Sequence, residues 1–133
     1  MSKILSFHEI ELILIQARPL PSSYYWSAVI GTMAYAGLRD VEIIALLAED
    51  VDLAAGLIKV RSIENASEFR EVPITPKLLY ILQLHPYNAS EYLFSNIQAN
   101  GKKWYKSSFD TELKKRLPND VEANDLTDSF SSL

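Results

Sequence analysis

The apolar segment Tyr24–Ala36, YYWSAVIGTMAYA, is the sequence feature that most limits how this chain can fold. It carries no charged residue, and a helix that is apolar all round lies inside a protein rather than on its surface. Gly37 follows at once, and glycine is the residue that most easily takes the left-handed conformation at a helix end. The segment therefore predicts a central helix that other elements bury on most sides.

Local patterns predict further helices on both sides of the central one. Ser6 and Glu9 form a capping box, in which each side chain satisfies a free backbone N–H at the start of a helix. Pro76 after Thr75 suits the first turn of a helix, and Ser107 or Ser108 can cap a basic amphipathic helix. Helices are thus predicted over residues 7–17, 40–48, 76–84 and 108–117, with a last apolar-periodic piece from 126.

Two β-branched runs separate these groups of helices. Leu57–Ile63 and Phe69–Ile74 predict two antiparallel strands joined by the polar loop Glu64–Glu68. The fold class is therefore predicted as mainly α (α+β), a helical domain with a small antiparallel β-hairpin or three-stranded sheet. A length of 133 residues fits one domain, so residues 1–133 are predicted to form a single unit.

The composition argues against several classes of function. The sequence contains no cysteine, which excludes disulfides and cysteine-zinc sites, and His8 and His85 have no companions at metal spacing. We therefore expect no metal and no cofactor. No stretch approaches the roughly 20 apolar residues of a membrane-spanning helix, and the N-terminal residues lack a signal-peptide pattern, so we expect a cytoplasmic protein without membrane contact.

The distribution of charge bears on nucleic-acid binding. A net charge of −4 argues against a chain whose whole surface binds phosphate. However, six of the thirteen Lys and Arg residues lie between 102 and 116, opposed there only by Asp110 and Glu112. This stretch predicts either a local basic face that contacts phosphates, with Trp104 and Tyr105 interleaved, or only a solvated helix face.

Several short segments occur in an order that is typical of one family. They are Ala36-Gly37-Leu38-Arg39 with Glu42, Arg70–Ile74, Tyr92-Leu93-Phe94, Ser108-Phe109 with Leu113-Lys114-Lys115, and Asn124–Ser132. In this order and spacing, the chain resembles the catalytic domain of the tyrosine recombinases, the phage integrase and Xer-like enzymes. The resemblance covers nearly the whole chain and implies an integrase-like fold.

The resemblance also implies a chemistry. In this family a tyrosine attacks a phosphodiester, two arginines and a His or Trp hold the phosphate, and a lysine in the hairpin loop is the general acid. Arg39 matches the first arginine. The other matching positions are replaced, by Glu64 or Asn65 for the lysine, Asn124 for the histidine and Thr127 for the second arginine, with Asp128 beside it to repel phosphate. We also expect the N-terminal core-binding domain and the C-terminal tyrosine segment to lie outside these 133 residues.

The basic residues that could face DNA follow from the resemblance and from the charge pattern. Arg39 is either a vestigial catalytic residue that still binds a phosphate or a structural arginine held by Glu42 or Asp128 at a helix start. The side chains predicted to contact DNA are Arg39, Arg61, Arg70, Lys102, Lys103, Lys106, Lys114 and Lys115.

Three hypotheses for the function remain. The first is a catalytically inactive, integrase-like protein of a phage or mobile element that binds duplex DNA weakly or assists a related recombinase in DNA integration and recombination. The second is a protein-interaction or dimerisation module without a DNA role, which the acidic net charge favours. The third is a fragment of an active site-specific recombinase, whose tyrosine comes from a longer chain or another subunit.

Overall fold

The computed structural model describes residues 4–16, 24–65, 67–84, 91–96 and 102–130. These residues form six α-helices and a three-stranded antiparallel sheet. The helices are α1 (Phe7–Gln16), α2 (Tyr24–Ala36), α3 (Asp40–Ala45), α4 (Pro76–Leu84), α5 (Lys106–Lys114) and α6 (Ala123–Ser129). The strands are β1 (Val51–Asp52), β2 (Leu57–Arg61) and β3 (Phe69–Pro73). The predicted fold class is confirmed.

Helix α2 lies at the centre of the molecule, as its apolar sequence predicts. It contacts α1, α3, α4 and α6. Val29, Ile30 and Met33 are fully buried, and Thr32 satisfies its hydroxyl by donating to the Ala28 carbonyl at 2.7 Å. Gly37 ends the helix with a φ of 74°, which confirms the predicted left-handed residue. Ser22 and Ser23, either of which could cap this helix, lie outside the described residues.

The sheet has the order β1-β2-β3, with Val51 opposite Ile58 and Arg61 opposite Phe69. Ile58 and Val60 are buried on the inner face of β2, as period-two alternation requires. Both predicted strands are present, although β2 ends at Arg61 and β3 at Pro73. Strand β1 was not predicted, because two residues give too little alternation to recognise.

Helix α3 ends three residues earlier than predicted. Residues Leu46 and Leu47 leave the helix because they pair with the segment 91–96: the Leu93 N–H donates to the Leu46 carbonyl at 3.0 Å, and Leu47 bridges to Tyr92. As a result Leu46 is buried, whereas Leu47 is only half-buried. A tertiary contact therefore ends this helix.

The capping predictions are confirmed at one helix and wrong at another. At α1 the Glu9 N–H donates to Ser6 Oγ at 3.1 Å and the Ser6 N–H donates to Glu9 Oε1 at 3.0 Å. Helix α5 begins at Lys106 with Tyr105 as its N-cap, so neither Ser107 nor Ser108 caps it, and it ends at Lys114 rather than near 117.

No described helix is long and apolar enough to cross a membrane.

Candidate nucleic-acid interface

The corner between α2 and α3 carries Arg39 and is closed by α6. The Thr127 hydroxyl donates to the Leu38 carbonyl at 2.8 Å, so the side chain at this position of α6 holds the corner in place. The Phe130 ring lies over Gly37 so closely that a Cβ built there would be 2.7 Å from Phe130 Cδ2. The corner therefore needs glycine both for its left-handed backbone and for the space under the ring.

Glu42 is the centre of the polar contacts behind this corner. Its side chain is 4% exposed, and its Oε1 accepts the Arg39 backbone N–H at 2.9 Å. Arg70 of β3 donates to both carboxylate oxygens, at 2.7 and 3.2 Å. Burial alone would raise the pKa of Glu42, but the hydrogen bonds from Arg70 and from the Arg39 N–H outweigh it and hold the pKa below its usual value. Glu42 is therefore a buried carboxylate that links α3 to the sheet.

The Arg39 side chain is largely free of these contacts. It is 62% exposed, and its Nε lies 3.8 Å from Glu42 Oε1, which is long for an ion pair. The backbone of Arg39 is held by Glu42, but its guanidinium extends toward solvent. Arg39 is thus placed on a fixed corner with its donors still available to a ligand.

Arg61 of β2 makes a bidentate contact of its own, one residue along the strand from Val60, which pairs with Arg70. Its Nε and NH2 groups donate to the two oxygens of Asp50, at 3.0 and 2.8 Å, while Glu49 lies 4.0 Å away. Because Asp50 is buried, this bidentate pair satisfies a carboxylate that would otherwise be unfavourable. Arg61 and Arg70 therefore both neutralise buried acids of the fold.

Lys106 lies between two carboxylates where α3 meets α5. Its ammonium is 2.7 Å from Asp110 Oδ2 and 3.4 Å from Asp40 Oδ2. Burial and the neighbouring Asp40 raise the pKa of Asp110, and Lys106 only partly offsets them. Asp110 Oδ1 is buried and has no hydrogen-bond partner among the described residues. In this cluster two carboxylates therefore share one ammonium group.

The remaining predicted lysines differ in whether they have an acidic partner. On α5 and just after it, Lys114 lies 2.9 Å from Glu122 and Lys115 lies 3.2 Å from Glu112. Lys102 and Lys103 are exposed and make no ion pair with any residue that the structure describes. Lys103 lies only loosely over the Tyr92 ring, 6.0 Å from its centroid.

The replaced positions of the motif have structural contacts of their own. Asn65, at the tip of the hairpin, accepts the backbone N–H and the hydroxyl of Ser67, at 3.1 and 2.7 Å. Asn124 is exposed near the start of α6.

No group of three His, Asp or Glu side chains in the described ranges is arranged to hold a metal ion.

Two tyrosines near the core are protected rather than reactive. Burial raises the pKa of Tyr25, whose hydroxyl donates to the Ser95 carbonyl at 2.9 Å. Burial and a hydrogen bond to Glu11 raise the pKa of Tyr35. A phenol needs to lose its proton to attack, so neither group has the character of a nucleophile.

Comparison with solved structures identifies this arrangement of elements. The crystal structure of XerA recombinase superposes with a TM-score of 0.78 and 24% sequence identity, over 98% of this chain and 50% of that chain. The Tn1549 transposon integrase in complex with a circular intermediate DNA gives a TM-score of 0.70 with 14% identity, over 98% and 52% of the two chains. The lambda integrase tetramer bound to a Holliday junction gives 0.69 with 12% identity, over 99% and 42%.

The fold is that of the integrase catalytic domain. This chain spans about half the length of the solved structures that it matches. No model of a protein family matches the sequence, and no curated protein matches it either. At these sequence identities, the likeness to the solved structures shows the fold alone.

Within this integrase fold the eight predicted DNA-contacting residues are not one cluster. Five of them contact carboxylates at 3.4 Å or less: Arg61, Arg70, Lys106, Lys114 and Lys115. The others are Arg39 on the corner and Lys102 and Lys103 before α5. Asp50 could not be recognised from the sequence as the partner of Arg61, because the two residues meet only when β1 pairs with β2. Trp104 and Tyr105, predicted together as interleaved aromatic residues, have different environments.

Proposed function

We propose that this chain is a non-cleaving, integrase-like protein that binds duplex DNA weakly and acts as an accessory in DNA recombination. Its retained part is the fixed corner that presents Arg39. The chain lacks the second arginine, the histidine and the lysine that the resemblance implies, at Thr127, at Asn124 and at Glu64 or Asn65. DNA as a partner is also supported by the solved structures described above, since two of those three are DNA complexes.

The observation that carries this proposal is the contact between Thr127 and Leu38. At the position that matches the second phosphate-binding arginine, a hydroxyl donates inward to the corner's own backbone at 2.8 Å. Thr127 therefore stabilises the fold at the position where, in the family, an arginine stabilises the charge that develops on the phosphate in the transition state. One positioned donor of this kind contributes roughly 10²–10³ in rate, and loss of a general acid removes about 10²–10⁴ more.

Duplex binding is expected to be electrostatic and weak. Affinity for a duplex of about 20 base pairs should fall about 10- to 100-fold between roughly 50 and 200 mM salt, because only a few phosphates are contacted. Replacing Lys114 and Lys115 together with Glu should lower the affinity about tenfold further and flatten the salt dependence. Fluorescence anisotropy with a labelled duplex measures both effects.

Lys77→Glu is the control for the duplex experiment. Lys77 is exposed like Lys114, but it lies beside Glu11 of α1, 2.6 Å from its carboxylate, rather than on α5. The only expected effect of Lys77→Glu on duplex affinity is the general one of a more negative net charge. Absence of duplex binding even at low salt would reject the proposal.

No covalent protein–DNA adduct is expected with a nicked suicide substrate. The reason is that the family's groups that stabilise the transition state are replaced by Thr127, by Asn124 and by Glu64 or Asn65. The assay is denaturing electrophoresis after incubation with labelled DNA, with an intact recombinase of the same fold as positive control. An adduct formed by this chain would support the third hypothesis, an active enzyme or a fragment of one.

A second candidate function is self-association through α1, without DNA. Leu12 and Ile15 of α1 are 46% and 58% exposed, and Leu12 also lines a cleft with Pro118 and Val121. Exposed apolar side chains at such a cleft favour an interface with a second copy. A dimer seen by light scattering that is lost in Ile15→Lys, together with failure to bind duplex, would favour this function over the first.

A further inference from the structure

An open groove of about 610 Å³ lies between α3, the end of β2 and the segment that leads into α5. We call it the lysine–aromatic groove. It is lined by Val41, Ile44, Ala45, Ile63, Lys102, Lys103, Trp104, Tyr105 and Lys106. The aliphatic members come from α3 and the hairpin, whereas the lysines and aromatic rings come from residues 102–106. The groove therefore joins an apolar floor to a basic, aromatic rim.

Tyr105 is the most exposed large side chain of this rim. It is 81% exposed, although its backbone is fixed as the N-cap residue of α5. Trp104 beside it has a different environment: its indole N–H donates to the Tyr25 hydroxyl at 2.7 Å, and its ring lies 5.8 Å from Phe109. Trp104 is thus partly buried and packs against the core, whereas the Tyr105 ring is exposed at the surface.

Two lysines next to this ring are free to meet phosphate. Lys102 and Lys103 are exposed and unpaired within the described part of the chain, and the Asn96 N–H fixes the backbone here by donating to the Lys102 carbonyl at 2.8 Å. Lys106 at the far side is occupied by Asp40 and Asp110. An anionic ligand would therefore bind toward Lys102 and Lys103 and away from the carboxylates.

The apolar floor decides what kind of ligand fits. Ile63 is 53% exposed and shares the groove with Ile44, so this surface gains from contact with a flat, weakly polar group. In a DNA duplex the base faces are stacked on each other and only phosphates and groove edges are presented. An unpaired base instead offers its face to an aromatic ring, and its own phosphates lie within reach of nearby lysines.

We propose that the lysine–aromatic groove binds an unpaired nucleotide of a DNA strand. Its base stacks on Tyr105 above the floor formed by Ile44 and Ile63, and its phosphates contact Lys102 and Lys103. This inference rests on the proposed function only in taking DNA as the partner. It adds a preference for unpaired over paired DNA, and it places that preference on the segment before α5.

The test compares two labelled DNAs by fluorescence anisotropy at low salt: an oligothymidine of about 12 nucleotides and a duplex of about 20 base pairs. Tyr105→Ala should weaken oligothymidine binding about fivefold or more, because a base–aromatic stack is lost, and should change duplex binding less than about twofold. Tyr105→Phe keeps the ring and should bind oligothymidine like the unmodified chain. Tyr80→Ala removes a tyrosine that is 59% exposed on α4 and should alter neither affinity.

The outcomes separate this inference from the proposed function. Duplex binding without oligothymidine binding, or an equal loss of both in Tyr105→Ala, would overturn the groove assignment and leave the proposed function in place. Absence of binding to both DNAs would overturn both. Displacement of oligothymidine by polyglutamate at equal charge would also overturn the assignment, because it would mean that the lysines attract any polyanion. Equal melting temperatures of the three tyrosine variants would show that each affinity refers to a folded protein.

Discussion

Replacing Glu42 with Ala is expected to lower the free energy of unfolding by about 2–4 kcal/mol. The change removes the acceptor of the Arg39 N–H and both contacts to Arg70, which together hold α3 against β3. The expected loss is smaller than is usual for breaking a buried ion pair, because the Arg70 side chain is 51% exposed and can be hydrated again. Urea denaturation followed by circular dichroism measures the difference.

The matched control for this experiment is Glu49→Ala. Glu49 is 73% exposed and lies 4.0 Å from Arg61, so its loss should change stability by no more than about 0.5 kcal/mol. Glu42→Gln keeps an oxygen for the Arg39 N–H but loses the charge that Arg70 contacts. Its loss of stability should therefore lie between those of Glu42→Ala and Glu49→Ala. Equal effects of the Glu42 and Glu49 replacements would contradict the described role of Glu42.

The contribution of Glu42 should also depend on pH in a defined direction. Its pKa is held below the ordinary value, so the folded state binds the proton less readily than the unfolded state. The stabilisation is therefore complete above the unfolded pKa of about 4.3 and is lost as pH falls from there through the folded pKa. The stability gap between the unmodified chain and Glu42→Ala should narrow in this acid range and stay constant between about pH 6 and 8.

Replacing Gly37 with Ala is expected to destabilise the chain by about 2–3 kcal/mol. The φ of 74° would strain any residue with a Cβ, and the added methyl group would approach the Phe130 ring within 2.7 Å. The comparison is Gly56→Ala, because Gly56 has a φ of 72° and a methyl group added there would meet no atom within 4 Å. Gly56→Ala should therefore lower the free energy of unfolding only through backbone strain, by about 1 kcal/mol.

The difference between the two glycine variants isolates the contact with α6. Phe130→Ala should reduce the additional effect of Gly37→Ala, because the ring that meets the new methyl group is gone. A thermodynamic cycle of the two single variants and the double variant, measured in urea, gives this coupling directly. Equal losses for Gly37→Ala and Gly56→Ala would mean that the ring moves aside without effect on stability.

Periodicity and local chemistry predict those helices and strands of this fold that are determined by residues close together in the sequence. Helix α2 follows from thirteen residues without charge, and the hairpin from two β-branched runs around a polar loop. The end of α3 could not be predicted, because Leu46 and Leu47 leave the helix to pair with residues far along the chain. The start of α6 was missed because its capping box is formed by Glu122 and Asp125 rather than by a hydroxyl residue.

The candidate site shows the same division between local and distant causes. The order of short motifs predicts which residue matches which position, so Arg39 and Thr127 could be named from the sequence. The partners of the arginines depend on register: Arg70 meets Glu42 across 28 residues, and Arg61 meets Asp50 only when β1 and β2 are paired. Exposure could not be predicted either, since Trp104 and Tyr105 are neighbours with opposite environments.

The contacts of α6 have a consequence for how the protein folds during synthesis. The Ser129 hydroxyl accepts the Leu5 N–H at 2.7 Å across 124 residues, and Thr127 reaches Leu38 across 89. At about 5–20 residues per second, a ribosome needs roughly 6–25 s to make the chain between Leu5 and Ser129. Until α6 has been synthesised, the nascent chain therefore lacks the hydrogen bonds that hold Leu5 and the Leu38 corner, so these long-range contacts can form only late.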